Sequence, residues 1–314
     1  MLRQGGVVAV KPGHYHFLKA LGQILLYLVA TVLLGALLAP PLFWMAQVAS
    51  AHLHSAWLTA FLAKTEFPRY FDRGVMIAAL LLLWPLLRAL GIDNFGNDLG
   101  LVPDKRAPRR LLAGFLVAFG TLLGLGAILT FTGVFRMHSH VNYAKLWWLP
   151  LTALIVSIFE EAFFRGALQG AVRKTTAHSF AMVSVAVLYA IVHFLKQPDR
   201  AIGMAAIHWW SGLAILPDAF SQFREPGLLL GGFGTLLLVG VILGYTRERT
   251  RSLWMPVGLH SGWILGKMGM LAVTRQSVAW PWIGPNEKFG LIGLGPLLTL
   301  LLAWGIVWLM LRKI

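Results

Sequence analysis

Repeated apolar runs, each about as long as a membrane-crossing helix, dominate this chain of 314 residues. The hydrocarbon core of a bilayer requires about 20 mostly apolar residues in helical form. We predict eight such spans, near Phe17–Met45, Gly74–Leu90, Leu111–Val134, Trp147–Gly170, Phe180–Leu195, Gly227–Tyr245, Leu253–Val273 and Phe289–Leu311. The predicted fold class is therefore all-α, a polytopic transmembrane helical bundle of about eight spans.

The composition excludes the other common classes of protein. Hydrophobic residues make up 58% of the chain and charged residues only 12%, whereas soluble domains average about 45–50% and about 25%. Cysteine is absent, which excludes disulfides, thiolate zinc sites and a cysteine nucleophile. The net charge of +15 is carried mostly by Lys and Arg that flank apolar runs, so we expect a lipid bilayer as partner and no nucleic acid.

Lysine and arginine are distributed unequally between the two sides of the predicted bundle. Eight spans place both termini on the same side. If that side is cytoplasmic, it collects the basic clusters Lys105–Arg110, Arg173–Lys174 and Arg247–Arg251, while the opposite loops hold fewer basic residues. Because cytoplasmic loops are enriched in Lys and Arg, we predict cytoplasmic termini, N-in and C-in, in a plasma (inner) membrane.

The segment Gln197–Pro226, between spans five and six, is neither a span nor a hydrophilic loop. An apolar face on a short helix would be formed by Ile202, Ala205, Ala206, Trp209 and Trp210. Tryptophan is enriched at the depth of lipid headgroups. The pattern predicts an interfacial amphipathic helix on the outer side.

Three charged residues interrupt the fourth apolar run. Glu160, Glu161 and Arg165 lie within six consecutive positions of an otherwise hydrophobic helix. Unpaired at a membrane helix centre, each would cost about 2.5–3.5 kcal/mol, a total comparable to the stability of a domain. Glu161 and Arg165 are four positions apart and can form an ion pair on one helix face. Glu160 points about 100° away and can face a cavity.

Two histidines occupy later apolar runs. His193 follows Tyr189 by about one helical turn, and His260 lies about two turns into the seventh predicted span. Either histidine alone could be a packed core residue. Glu160, His193 and His260 lie on three different spans, and we predict that they converge on one water molecule.

These residues together resemble a known family. The pattern E-E-x-x-x-R at Glu160–Arg165, then aromatic-x-x-x-His at Tyr189–His193 and His260 in a later helix, is similar to the CPBP family of CAAX proteases and bacteriocin-processing proteins. That family contains the type II CAAX prenyl endopeptidase and the lysostaphin-resistance protein. The similarity covers roughly Trp147–Lys267. It implies an all-helical intramembrane endopeptidase that hydrolyses peptide bonds of membrane-associated or CAAX-like peptides and proteins.

The resemblance also implies catalytic roles. Glu160 would deprotonate the attacking water, His193 would hold or polarise that water, and His260 would stabilise the oxyanion. Glu161 and Arg165 would hold the helix and the base in place. The candidate metal ligands are Glu160, Glu161, His193 and His260, and one Glu with two His would match a catalytic zinc site. We slightly favour a metal-free glutamate mechanism, because Glu160 cannot be both a tightly bound ligand and a free base.

Two positions depart from the family pattern. Tyr189 replaces the more usual phenylalanine, which is a mild change. Ile264 stands four residues after His260, where many members have an asparagine that would be a second oxyanion donor. Loss of such a donor can cost about 10²–10³ in rate. The alternatives are a non-catalytic relative, acting as a membrane scaffold or immunity protein, and, less favoured, a proton-coupled transporter.

The spans and the resemblance together divide the chain into three regions. We expect an N-terminal transmembrane region of three spans at residues 1–146 and a CPBP-like catalytic core of four spans at residues 147–273. Residues 274–314 would form a C-terminal loop and the final span. The expected partner within the membrane is a peptide or membrane-protein substrate.

Overall fold

Helices dominate the structure of this chain. The computed structural model describes residues 12–52, 66–92, 95–102, 104–174, 176–195, 206–280, 282–284, 290 and 292–312. The α-helices are α1 Pro12–His52, α2 Phe67–Ala89, α3 Phe95–Leu99, α4 Ala107–Phe131, α5 Tyr143–Glu161, α6 Gln169–Arg173, α7 His178–Phe194, α8 Ser211–Ala214, α9 Leu216–Ala219, α10 Pro226–Leu228, α11 Gly234–Thr250, α12 Trp254–Val273 and α13 Leu294–Leu311. Two π-helical segments, Ala162–Leu168 and Leu229–Phe233, a 3₁₀ turn, Ser221–Arg224, and two strands, β1 Phe135–Met137 and β2 Thr274–Gln276, complete the described elements.

Six helices within the described ranges are long and apolar enough to cross a membrane. They are Leu18–His52, Phe67–Ala89, Ala107–Phe131, Leu146–Arg173, Pro226–Thr250 and Leu294–Leu311, and they correspond to six of the eight predicted spans. The other two predicted spans are α7, with 17 residues, and α12, with 20 residues. Helix α7 is apolar but shorter than the six. Helix α12 is long enough, but His260 and Lys267 lower its mean hydropathy. The total of eight spans stays a prediction.

Helices α4 and α12 approach each other closely enough for their backbones to touch. A Cβ atom at Gly258 would collide with the carbonyl oxygen of Leu111, and a Cβ atom at Gly114 would lie 2.5 Å from the carbonyl oxygen of Met255. Small residues permit such close packing between membrane helices, where dispersion contacts replace the hydrophobic effect. The contact holds α12, and with it His260, firmly against α4.

Replacing Gly258 with alanine should separate α4 from α12. The added methyl group would overlap a backbone oxygen that cannot rotate away, so we expect a loss of about 1–3 kcal/mol of stability. The measurement is the midpoint of thermal unfolding in detergent. Gly120→Ala is the matched control on α4, because nothing lies within 4 Å of a Cβ atom there. Equal midpoints for the two variants would contradict this packing.

The described part of the segment between α7 and α11 consists of short helices and turns rather than one continuous helix. Trp209 and Trp210, 62% and 45% exposed, lie in a turn that precedes α8. Ile202 and Ala205, which belong to the predicted apolar face, lie outside the described residues. The interfacial location of the segment Gln197–Pro226 therefore stays a prediction. The described part of this segment is not a single amphipathic helix.

A short antiparallel ribbon joins the ends of α4 and α12. In it Phe135 pairs with Gln276, Arg136 with Arg275 and Met137 with Thr274. An all-α prediction does not include it, because three-residue strands are too short to show a period of two. The ribbon connects residues from the first and last of the three predicted regions, and that division stays a prediction.

Candidate functional site

The helix that carries the two glutamates changes its winding immediately after them. Helix α5 ends at Glu161, and Ala162–Leu168 is π-helical before α6 continues the span. The sequence predicted one regular helix over this span. A π-helical turn is rare and is found frequently at functional sites. The π-helical segment contains Arg165, which is buried.

The two histidines lie next to Glu160, although they are distant in sequence. Glu160 Oε2 is 2.9 Å from Nε2 of His193 and 3.7 Å from Nε2 of His260. The three side chains come from α5, α7 and α12. The side chain of Glu160 is 29% exposed and that of His193 is 26% exposed. The structure thus brings together the three residues that the sequence singled out.

A backbone contact determines which ring nitrogen of His193 carries a proton. Nδ1 of His193 lies 2.9 Å from the carbonyl oxygen of Tyr189. A carbonyl can only accept a hydrogen bond, so Nδ1 donates. Nε2 faces Glu160, and the contact between Nε2 and Oε2 therefore contains one proton shared by the imidazole and the carboxylate. Such a pair can accept a proton from a third molecule or donate a proton to it.

Glu161, next to Glu160 in the chain, is buried, and one of its carboxylate oxygens accepts two hydrogen bonds. Its Oε1 accepts hydrogen bonds from Arg165 Nη1 at 3.0 Å and from His260 Nδ1 at 2.8 Å. Glu161 is 0% exposed and Arg165 is 1% exposed. The ion pair expected from their spacing is present, and each charge compensates the other where water cannot. The contact with Nδ1 also turns the ring of His260 so that Nε2 faces Glu160.

Arg165 joins three helices around the site. Its Nη2 donates to the carbonyl oxygen of Gly240 on α11 at 3.4 Å. Its guanidinium carbon lies 4.4 Å from the centroid of the Tyr189 ring on α7, a cation–π distance. The Tyr189 ring lies 3.9 Å from the ring of His193. Tyr189 is therefore packed between the ion pair and the histidine, which keeps both in place.

A cavity of about 350 Å³ lies beside Glu160. Its other lining residues are Leu122, Tyr189, His193, Leu236, Val239, His260, Trp263, Ile264, Lys267, Gly290, Thr299 and Leu300. An apolar wall with a few convergent polar groups is typical of sites for small ligands or substrate side chains. Ile264, at the position where asparagine is common, is part of this wall.

Sequence reasoning did not place several of these lining residues in the site. Lys267 lies seven residues after His260, which is about two helical turns and so the same helix face. This spacing could have predicted that Lys267 lies on the same side of the helix as His260. Thr299 and Leu300 come from α13, which no motif marked, because only the packing of α13 against the bundle brings them here.

The arrangement of these residues does not fit a zinc site. Two ligands of a tetrahedral zinc ion lie about 2.0–2.2 Å from the metal and hence about 3.3–3.6 Å apart. Glu160 Oε2 and His193 Nε2 are 2.9 Å apart and share a direct hydrogen bond, while Glu161 is held by Arg165. In the described part of the chain, no group of three His, Asp or Glu side chains is arranged to hold a metal ion.

A family model matches part of the chain. Residues 142–265, less than half of the chain, match the family model described as Type II CAAX prenyl endopeptidase Rce1-like. No curated protein and no solved structure matches the chain significantly. The match and the six apolar helices identify an integral, multi-pass membrane protein. Residues 142–265, which carry Glu160, His193 and His260, are thus similar to this endopeptidase family, as the resemblance to the CPBP family predicted.

Proposed function

We propose that this protein is an intramembrane endopeptidase in which Glu160 activates the attacking water. The observation that carries the proposal is the convergence of Glu160, His193 and His260 at the wall of one cavity inside a bundle of apolar helices. The match to an endopeptidase family supports it. The substrates are membrane-associated or CAAX-like peptides and proteins.

The first step is proton removal from water by Glu160. A water molecule beside Oε2 of Glu160 and Nε2 of His193 donates a hydrogen bond to the carboxylate and is oriented by the imidazole. As its oxygen attacks the substrate carbonyl carbon, its proton passes to Glu160. The reacting groups are held on three packed helices, so little orientational freedom remains to be lost when the substrate binds.

The second step is stabilisation of the charge that develops on the substrate carbonyl oxygen. Glu161 accepts a hydrogen bond from Nδ1 of His260, which leaves Nε2 of that ring facing Glu160 and the cavity. When both ring nitrogens carry protons, the imidazole can donate on both sides. Nε2–H of that ring can then donate to the oxyanion. Glu160 finally returns its proton to the leaving amine as the C–N bond breaks. The products are a carboxylic acid and a free amine.

The cavity wall favours a particular class of substrate residue. Leu236, Val239 and Leu300 provide aliphatic contacts close to Glu160. A volume of about 350 Å³ accommodates a few side chains rather than a folded domain. We propose that an extended peptide segment binds with aliphatic side chains beside the scissile bond, because their burial is favourable.

A peptide library incubated with purified, reconstituted protein tests the proposal. We expect the wild-type protein to cleave a subset of aliphatic-rich peptides at one fixed position, as read by mass spectrometry. The Glu160→Gln protein should leave the same peptides intact. Cleavage by neither folded protein, or equal cleavage by both, would contradict the proposal.

Ile264 separates this proposal from its main alternative, a non-catalytic relative. It lines the cavity about one turn after His260 and offers no hydrogen-bond donor. Replacing it with asparagine should add a donor for the oxyanion and raise kcat, by up to about 10²-fold. Ile264→Leu, which keeps the volume and adds no donor, should leave kcat nearly unchanged. A scaffold protein would show background turnover in all three forms.

A further inference from the structure

A second cavity, more basic than the first, lies where α6 and α11 end. Its volume is about 530 Å³. The basic residues Arg173, Lys174, Arg247 and Arg251 contribute to its lining, together with the acidic residues Asp98 and Glu248. We call it the basic cavity. It lies at the ends of apolar helices, on the side that the distribution of Lys and Arg predicts to be cytoplasmic.

One cation of the basic cavity, Arg173, forms an ion pair within the cavity. Arg173 Nη1 lies 3.3 Å from Oε2 of Glu248, and Gln169 Nε2 donates to Oε1 of the same carboxylate at 2.8 Å. The charges of Arg173 and Glu248 therefore compensate each other. In the lining, Arg173, Lys174, Arg247 and Arg251 outnumber the carboxylates Asp98 and Glu248, so the cavity keeps a net positive charge.

Arg247 is held in a position where it has an unsatisfied donor. Its Nε is buried, and within the described ranges nothing accepts a hydrogen bond from it. The guanidinium lies against Gly100, where a Cβ atom would be 2.8 Å from Nη2. A buried donor without an acceptor is unfavourable. An anionic ligand that brings its own oxygen atoms would satisfy it.

Arg251 reaches the basic cavity from a strained backbone conformation. With φ 52° and ψ 28°, it is the one non-glycine residue of positive φ in the described part of the chain. It follows the end of α11, a position where glycine is favoured because a side chain is costly in this conformation. The side chain of Arg251 lines the basic cavity despite this cost.

We propose that the basic cavity binds a phosphate group, with Arg247 and Arg251 as its main contacts. The planar fork of a guanidinium matches the oxygen atoms of a phosphate in both spacing and charge. The cavity lies at the ends of apolar helices, the level at which phospholipid headgroups are found. The phosphate therefore belongs either to an anionic phospholipid or to a free anion. Binding is independent of Glu160 and of the peptidase proposal.

Ligand-dependent thermal unfolding of the purified full-length protein in neutral detergent tests this site. We expect phosphatidylglycerol to raise the unfolding midpoint saturably, as any ligand of the folded state does, with phosphatidylcholine as the zwitterionic control. If phosphatidylglycerol raises the midpoint and inorganic phosphate does not, the ligand is a lipid headgroup. If inorganic phosphate also raises the midpoint, the phosphate group itself is sufficient for binding. Both results support the site. A midpoint unaffected by phosphatidylglycerol and by phosphate would overturn it.

Four variants distinguish a specific site from general attraction of anions. Arg247→Gln should raise the apparent Kd about tenfold or more, since it removes charged hydrogen bonds. Arg251→Gly should weaken binding similarly and yet raise the midpoint without ligand, because glycine relieves the positive φ. Arg109→Gln removes an exposed charge outside the cavity and should change neither quantity. If Arg109→Gln weakened phosphatidylglycerol binding as much as Arg247→Gln does, the site would be overturned. The Glu160→Gln protein should bind phosphatidylglycerol as the wild type does.

Discussion

Glu160→Gln should abolish peptide cleavage while leaving the protein folded. Glutamine keeps the shape of the side chain and can still form a hydrogen bond with His193, but it cannot accept the proton of the attacking water. General-base catalysis contributes about 10²–10⁴-fold to a rate, so kcat should fall at least about a hundredfold. The measurement is the rate at which saturating substrate peptide is cleaved.

A matched carboxylate outside the site makes this result specific. Glu225 is exposed and lies before α10, so Glu225→Gln should retain wild-type kcat. The thermal midpoint of Glu160→Gln should stay close to that of the wild type, because Glu160 is partly exposed and its replacement leaves no unpaired buried charge. A Glu160→Gln protein that cleaves at the wild-type rate would remove Glu160 from the mechanism.

Glu161→Gln and Arg165→Met should each strongly destabilise the fold. Both residues are essentially inaccessible, and their charges are 3.0 Å apart. Removing one partner of a buried ion pair leaves the other charge uncompensated, at a cost of about 3–5 kcal/mol. The measurement is the unfolding midpoint of each single variant in detergent. The two adjacent carboxylates would thus have different roles, since Glu160 is needed for turnover alone, whereas Glu161 is needed for stability as well.

The double variant separates the cost of an orphaned charge from the value of the pair. Glu161→Gln with Arg165→Met removes both charges, and we expect it to recover most of the stability that either single variant loses. Its activity should stay low, because Nδ1 of His260 loses its carboxylate partner. A double variant as unstable as the sum of the two single variants would contradict the direct pairing of these side chains.

Local helix geometry explains which features could be predicted. The positions of the apolar runs determined the helical class. The membrane interior offers no water to the backbone, and a helix forms its backbone hydrogen bonds within one segment. The spacing of Glu161 and Arg165 determined their ion pair, because residues four apart share a helix face. For the same reason Glu160 was expected to point elsewhere, and it does line the cavity.

Tertiary packing decided the features that involve more than one helix. The sequence marked His193 and His260 but could not show that Glu161 contacts Nδ1 of His260 while Glu160 contacts Nε2 of His193. Those contacts depend on the distance and rotation of α7 and α12, which glycine contacts and side-chain volumes set. The basic cavity around Arg247 also arises only when separate helix ends meet. The chain by itself determined helices, their faces and their charged residues, and packing determined which faces meet, because contacts between distant segments depend on the whole assembled bundle.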